Sequence, residues 1–245
     1  MLRYQEYAPA ADLAGLVRCY WSLSGDASGA PPERIIPDGR FDIVFHRGDP
    51  FLRNGERQPA AMLVGEIRRP VVVQPAGRVD VFGVRFRLGG LSAFVRDPAR
   101  ELRDMILPLN EIVRAPLPEE VGSFLRSRRS SPRALRLARA AINVIRRTPS
   151  IRSRRLASIL GTTERTLERA FGQCIGMTPK QFARLTRFHA ALGDPLLDAG
   201  YYDQSHLIHE FREFSGTTPA AFVRERNALN DAFVGNFQDA PERKK

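Results

Sequence analysis

Hydrophobic positions follow two different rhythms along the chain. Over residues 1 to about 110, short runs of β-formers recur between turn residues, at Leu16 to Leu23, Ile35 to Ile36, Phe41 to His46, Met62 to Val64, Val71 to Gln74 and Val79 to Phe86. Phe41, Ile43 and Phe45 alternate with Asp42 and Val44, and Val79, Val81 and Gly83 with Asp80, Phe82 and Val84. Apolar side chains thus point both ways, and such strands are expected to be buried on more than one side. Pro37-Asp38-Gly39, Gly48-Asp49-Pro50, Asn54-Gly55 and Pro75-Ala76-Gly77 mark turns between them. A small β-barrel or sandwich is the expected result. Gly89-Gly90 then leads into LSAFVRDPARELRDM, expected as one or two short helices broken at Pro98, with Leu91, Phe94, Val95, Leu102 and Met105 either covering the strands or pairing with a second subunit.

From Pro132 the rhythm becomes helical. Leu135, Leu137, Ala138, Ala141, Ile142 and Ile145 predict a helix to about Arg147, broken by Thr148-Pro149-Ser150. The stretch from Ser150 to Phe182 then reads as two short helices joined by a glycine turn and followed by a capped third, a helix-turn-helix. In its first helix Ile151, Leu156, Ile159 and Leu160 share a face, Ala157 admits a neighbouring helix, and Arg152, Arg154 and Arg155 point elsewhere. Gly161 stops that helix, and Thr163 is expected to cap the next, with Glu164 complementing its dipole. Leu167, Ala170, Phe171 and Cys174 recur at helical spacing and turn inward, leaving Arg165, Glu168, Arg169 and Gly172 outside. Guanidinium reads guanine bidentately and carboxylate accepts from cytosine, so this face suits a DNA major groove as well as it suits solvent.

The pattern recurs. Leu167, Phe171, Gly176, Thr178, Pro179, Phe182 and Arg184 return as Leu207, Phe211, Gly216, Thr218, Pro219, Phe222 and Arg224, each 40 residues on. Two copies make a duplicated unit, not a solenoid, which needs about three repeats or more. Each copy closes on Gly-x-Thr-Pro, where Gly supplies the left-handed stop, Thr the cap and Pro the first helical position.

LASILGTTERTLERAFGQCIGMTPKQF and GYYDQSHLIHEFREFSGTTPAAF together resemble the tandem DNA-binding domain of the AraC-type (arabinose-regulator) family of bacterial transcription factors, over residues 132 to 226. In the second string Gly200, Tyr201, Asp203, Gln204, Ser205, His206, Leu207, Phe211, Gly216, Thr218 and Pro219 carry the likeness. In that family the N-terminal half is commonly a β-rich sensor or dimerisation domain, and this one resembles the variant type with RCYWSL, PERIIPDG, LVGEI and GVRFRLGG. The resemblance implies an α+β chain: a β-rich barrel or sandwich at 1–114, a linker with a helix at 115–131, an all-α tandem helix-turn-helix at 132–226 and a tail at 227–245. It implies a cytoplasmic, bacterial, sequence-specific transcription regulator acting on double-stranded DNA, and leaves open contacts with RNA polymerase, a small-molecule effector and homodimerisation. By position in the motif, Arg165, Glu168 and Arg169 are offered to bases, and Thr163 and Thr166 to phosphates. The second helix offers Gln204, Ser205, His206, Ile208 and His209, with Asp203 as N-cap and Arg212 nearer the backbone. Family members often carry Arg where His209 stands.

The second copy departs from the first. The residues 40 beyond the helix Ile151 to Leu160 contain Gly193 and Pro195, which interrupt a helix. Against the family's pattern roughly two helical turns are missing between Phe188 and Gly200, and only PLLDA remains to support the second recognition helix. The unit is expected to be shortened near 189–199. The alternative is therefore a ligand-binding or protein-interaction module with an impaired second helix-turn-helix and little specific DNA binding.

Charge favours the nucleic-acid reading. Of a net charge of +11, most sits in residues 132–226, with 16 Lys+Arg against 8 Asp+Glu, while residues 1–131 hold 19 against 16. A basic surplus concentrated on the repeated unit is the footprint of a polyanion binder, since each phosphate neutralised releases counterions. No stretch combines a basic face with an aromatic one as a membrane-surface helix does, and no apolar run approaches the roughly twenty residues that span a bilayer. The N-terminus lacks a secretory pattern, and Cys19 and Cys174 stand far apart, so a reduced cytosol and no membrane partner are expected. GxxxxGK[ST], GxSxG and HExxH are absent, so no enzyme, cofactor or metal is expected. His206 and His209 lack a third ligand, and Cys174 falls on the apolar face. In the β-rich half Tyr20, Trp21, Arg34, Asp38 and Arg85 could meet a ligand or could simply belong to strands.

Overall fold

The computed structural model describes residues 2–112, 118–130, 132–193 and 204–224. Its N-terminal half contains β1 (Arg3–Tyr7), β2 (Val17–Asp26), β3 (Glu33–Ile35), β4 (Asp42–His46), β5 (Leu52–Arg53), β6 (Glu56–Arg57), β7 (Ala61–Val64), β8 (Val71–Gln74), β9 (Arg78–Phe86) and β10 (Ile106–Pro108). All six runs expected as strands are strands, with ends shifted by a few residues. One sheet has the order β1-β2-β9-β4-β7-β10 and the other β3-β8-β5-β6, with every pairing antiparallel. Asn54 and Gly55, both at positive φ (54° and 83°), make the two-residue turn between β5 and β6.

The central strands are covered on both faces, as their mixed pattern requires. Cys19, Trp21, Leu23, Val44, Met62, Val79 and Val81 form one apolar cluster between the sheets. Ile43, Phe45, Leu63, Val84 and Phe86 belong to the other, larger cluster. Trp21 stands opposite Gly83 in the β2·β9 register, and a Cβ on Gly83 would overlap its indole ring. The glycine therefore gives the indole its place.

Two 3-10 turns, Gly90–Ala93 and Ala99–Glu101, follow β9 and flank Pro98. They bury Leu91, Phe94 and Leu102 as expected, whereas Met105 is 41% exposed and covers nothing. Met105 departs from the covering role because it lies after the second turn, just before β10. The helices are α1 (Leu109–Ile112), α2 (Val121–Arg128), α3 (Arg133–Arg147), α4 (Ser153–Ile159), α5 (Glu164–Cys174), α6 (Pro179–Gly193), α7 (Gln204–Ser215) and α8 (Pro219–Arg224). Helix α2, within the expected linker, buries Val121 and Leu125 in the larger cluster.

That cluster runs without a break from Leu13 through Leu88, Leu91 and Phe94 to Leu135, Phe171, Ile175, Leu185 and Phe222. The helices are thus seated on the β-rich half. Gly89 (φ 74°) lies against Leu135 and Ile175, and Gly39 (φ 74°) against Met177 and Leu185. His189 of α6 lies with Nε2 2.7 Å from the carbonyl oxygen of Pro37. No described helix is long and apolar enough to cross a membrane.

Candidate nucleic-acid interface

Helices α4 and α5, joined by a turn at Gly161 (φ 60°), form the first helix-turn-helix. Leu156 and Ala157 anchor α4, and Leu167, Ala170, Phe171 and Cys174 anchor α5, all buried as their spacing predicts. Ile159 is a correction: it is 51% exposed, because α4 ends there and the chain turns away. Thr163 caps α5, its Oγ1 accepting from the Thr166 backbone N–H at 3.2 Å and donating to Thr166 Oγ1 at 2.9 Å. Thr163 and Thr166 therefore hold each other at the helix entrance.

With its back fixed in the core, α5 turns Arg165, Glu168 and Arg169 to solvent on consecutive turns. None of the three makes a salt bridge or side-chain hydrogen bond among the described residues. The chemistry this face offers is two guanidinium forks flanking a carboxylate. Arg152, Arg154 and Arg155 are also exposed, at the start of α4.

The closing motifs of the two copies share their geometry. Gly176 and Gly216 have φ of 91° and 74°. Thr178 Oγ1 accepts from the Gln181 N–H at 3.1 Å while Gln181 Oε1 accepts from the Thr178 N–H at 2.9 Å, a reciprocal capping box. Thr218 Oγ1 accepts from Ala221 N–H at 3.3 Å. Rings 40 residues apart repeat as well: Phe171 and Phe182 sit 6.2 Å apart, and Phe211 and Phe222 5.5 Å.

Helix α6 continues to Gly193, so the expected interruption falls at its last residue. The PLLDA segment and Asp203 lie outside the described residues. What anchors α7 is a set of ion pairs that sequence reasoning missed. Arg184 Nε donates to Glu210 Oε1 at 2.6 Å and its Nη2 to Glu213 Oε2 at 2.6 Å, while Arg187 Nη2 reaches Glu210 Oε1 at 3.3 Å. Glu210 is 1% exposed. Two arginines three apart on one helix and two glutamates three apart on another were the available signal.

On α7, Ser205, His206, His209 and Arg212 are exposed, and Gln204 opens the helix. Ile208 is half-buried. The His206 ring leans back to Glu210, with Nε2 3.7 Å from Oε1, so it is partly drawn into the anchoring network. Between α4 and α7 lies a groove of about 700 Å³ bordered by Arg152, Lys180, Arg187, His206 and His209. Lys180 is a cation here that the motif positions had not singled out.

In the β-rich half, Trp21, Asp38 and Arg85 line a cavity between the sheets. Asp42 Oδ1 accepts from Trp21 Nε1 at 3.0 Å and from Arg85 Nε at 3.2 Å. Burial pushes the Asp42 carboxyl up, and the Arg85 guanidinium beside it pulls it back down. Tyr20 instead stacks on Phe82, with ring centroids 6.0 Å apart, and neither it nor Arg34 borders the cavity. Both cysteines are buried, and burial pushes the Cys19 thiol up to about 12 and raises that of Cys174. Neither is a thiolate at neutral pH.

A capped helix-turn-helix with an Arg-Glu-Arg outer face, whose recognition helix and closing motif recur 40 residues on, has the form of a DNA-binding module. Comparison with known families agrees: residues 156–225 match a family described as a helix-turn-helix domain, and residues 5–108 match a domain of unknown function (DUF6597). The chain thus carries a helix-turn-helix domain behind a β-rich N-terminal domain, an arrangement that suits DNA binding. Among solved structures, the AraC-like transcriptional activator CuxR aligns with 9% identity over 81% of this chain and 89% of that one, at a TM-score of 0.26. A likeness that low constrains neither fold nor function. No curated protein matches the chain.

Proposed function

We propose that this chain is a sequence-specific DNA-binding transcription regulator in which α5 lies in the major groove. Arg165, Glu168 and Arg169 contact base edges, and Thr163 and Thr166 contact phosphate at the helix entrance. The observation that carries this is the exposed Arg-Glu-Arg face on a helix whose opposite face is fully buried and whose first turn is capped. Helix α7 supplies a second contact through Gln204, Ser205, His209 and Arg212, and Lys180 and Arg152 neutralise backbone charge along the groove between them. Such a regulator acts on chromosomal DNA in the bacterial cytoplasm, with the β-rich half as its sensor.

Selection from a random duplex pool with the full chain tests the reading. A defined sequence should emerge whose affinity falls steeply with salt, as counterion release requires. Recovery of the unselected pool at every salt concentration would remove sequence-specific reading.

A further inference from the structure

The cavity between the two sheets measures about 130 Å³ and has a divided lining. Leu23, Val44, Met62, Val64, Val73 and Ile106 make it apolar over most of its wall. At its polar part stand Arg40 and Arg85, both buried, with Asp38 and Asp42; Arg53 and His46 complete the charged and titratable lining. Each aspartate faces an arginine: Asp42 Oδ1 lies 3.2 Å from Arg85 Nε, and Asp38 Oδ2 3.6 Å from Arg40 Nε. His46 is 8% exposed, with Nε2 3.2 Å from Gln58 Oε1, and its Nδ1 has no hydrogen-bond partner among the described residues. A protein of this size has little reason to gather two buried arginines and a half-satisfied histidine around an apolar void, since each costs desolvation.

The dimensions and charges limit what fits. An apolar cavity of this order accepts a molecule about the size of one six-membered ring. Three arginines against two aspartates leave one positive charge, and a guanidinium fork matches a carboxylate. A ring-sized body with one carboxylate complements both parts of the wall.

The same wall touches the DNA-binding half. Asp38 and Arg40 line the cavity, and between and beside them Gly39 packs on Met177 and Leu185 while the Pro37 carbonyl accepts from His189. The turn from Ile36 to Arg40 is therefore cavity wall on one face and the seat of α6 on the other. Helix α6 carries the Arg184 and Arg187 anchors of α7.

We propose that this cavity binds a small monocarboxylate with an apolar, ring-sized body, and that its occupancy is passed through the 36–40 turn to α6 and so to DNA affinity. The second half rests on the DNA-binding function proposed above; the first does not.

The experiment uses the full chain with benzoate and cyclohexanecarboxylate as probes, and benzyl alcohol and benzylamine as neutral and cationic counterparts. Calorimetry and thermal melts, at constant ionic strength, should show saturable binding of both carboxylates with a raised Tm, and at least tenfold weaker binding of the alcohol and the amine. Val73→Phe, which adds bulk to the apolar wall opposite Arg53 in the β5·β8 register, should retain a cooperative melt and lose the carboxylates. If the alcohol or the amine binds as well as benzoate, the anion assignment is overturned; if no probe binds, or Val73→Phe binds as before, the site is overturned. In a second arm, affinity for the selected DNA should change at least threefold on adding benzoate to wild type and stay constant in Val73→Phe. Binding of benzoate with unchanged DNA affinity overturns the coupling alone. Failure to bind any DNA specifically overturns the proposed function and leaves the calorimetric result standing.

Discussion

The imidazole Nε2 of His189 lies 2.7 Å from the carbonyl oxygen of Pro37, across 152 residues of sequence, and joins a helix of the DNA-binding half to a turn of the β-rich half. A carbonyl only accepts, so Nε2 carries the proton and the ring is held as a neutral donor. Burial lowers the His189 pKa from 6.5 to about 4, although the Pro37 bond and Asp38 oppose the shift.

This bond gives the fold an acid sensitivity of definite sign. Below about 6.5 the unfolded chain takes up a proton at this histidine, while the folded chain refuses it until about 4. Stability is therefore lost as pH falls through that window, by on the order of 3 kcal/mol for this group, and the loss levels off below it. Glu66 acts oppositely: burial raises it from 4.5 to about 7 against the pull of Arg103, so its contribution is lost as pH rises through that range. Denaturant unfolding of wild type and His189→Asn at several pH values isolates the histidine. The stability difference between the two should shrink from pH 7 to pH 4, and a constant difference would show that His189 titrates normally.

Arg169→Ala should weaken binding to the selected site by about 1 to 3 kcal/mol and relax one base position, as expected for loss of a bidentate base contact. Equal weakening on all sequences would make Arg169 a phosphate contact. Lys180→Ala should show that second behaviour, with a shallower salt dependence and unchanged preference.

Removing Glu210 leaves Arg184 and Arg187 without their shared acceptor. Glu210→Ala should destabilise the protein by about 3 to 5 kcal/mol, the usual cost of breaking a buried pair from one side. Chemical denaturation measures it, and a cost within error of zero would mean that α7 is held by its phenylalanines alone.

The second module is predicted to read fewer bases than the first, because Gly193 and Pro195 stand where the first copy has a supporting helix. Gln204→Ala combined with His209→Ala should change the selected sequence little. A loss as large as that of Arg169→Ala would show that α7 specifies its groove fully.

Gly83→Ala should lower stability by about 1 to 3 kcal/mol, because its methyl group would occupy the place of the Trp21 indole. A thermal melt decides it; an unchanged Tm would mean that the indole has other room.

The duplicated helices were legible because each buries its face locally: Leu167, Phe171 and Cys174 are a few residues apart, so their spacing alone predicts what turns inward. The same holds for β2, β4 and β9. Strand β1 was not legible because RYQEY is an edge strand with almost no buried face, and β5 and β6 are two residues each. Ile159 and Met105 misled because hydrophobicity does not say where an element ends. The burial of Arg85 opposite Asp42 depends on strand register, and the seating of α6 on Gly39 depends on contacts about 150 residues apart; neither leaves a periodic trace.

The unbroken cluster from Leu13 to Phe222 bears on how the chain is made as well as how it is held. When the β-rich half leaves the ribosome, Leu88, Leu91 and Phe94 have strands beneath them but no helices above. Their cover from α5 arrives roughly 80 residues later, on the order of 4 to 16 s at usual rates of synthesis. For that interval the nascent chain shows a sticky apolar face, and truncation anywhere before Cys174 makes the exposure permanent. An incomplete copy of this chain thus exposes the surface that a complete copy uses to join its two halves.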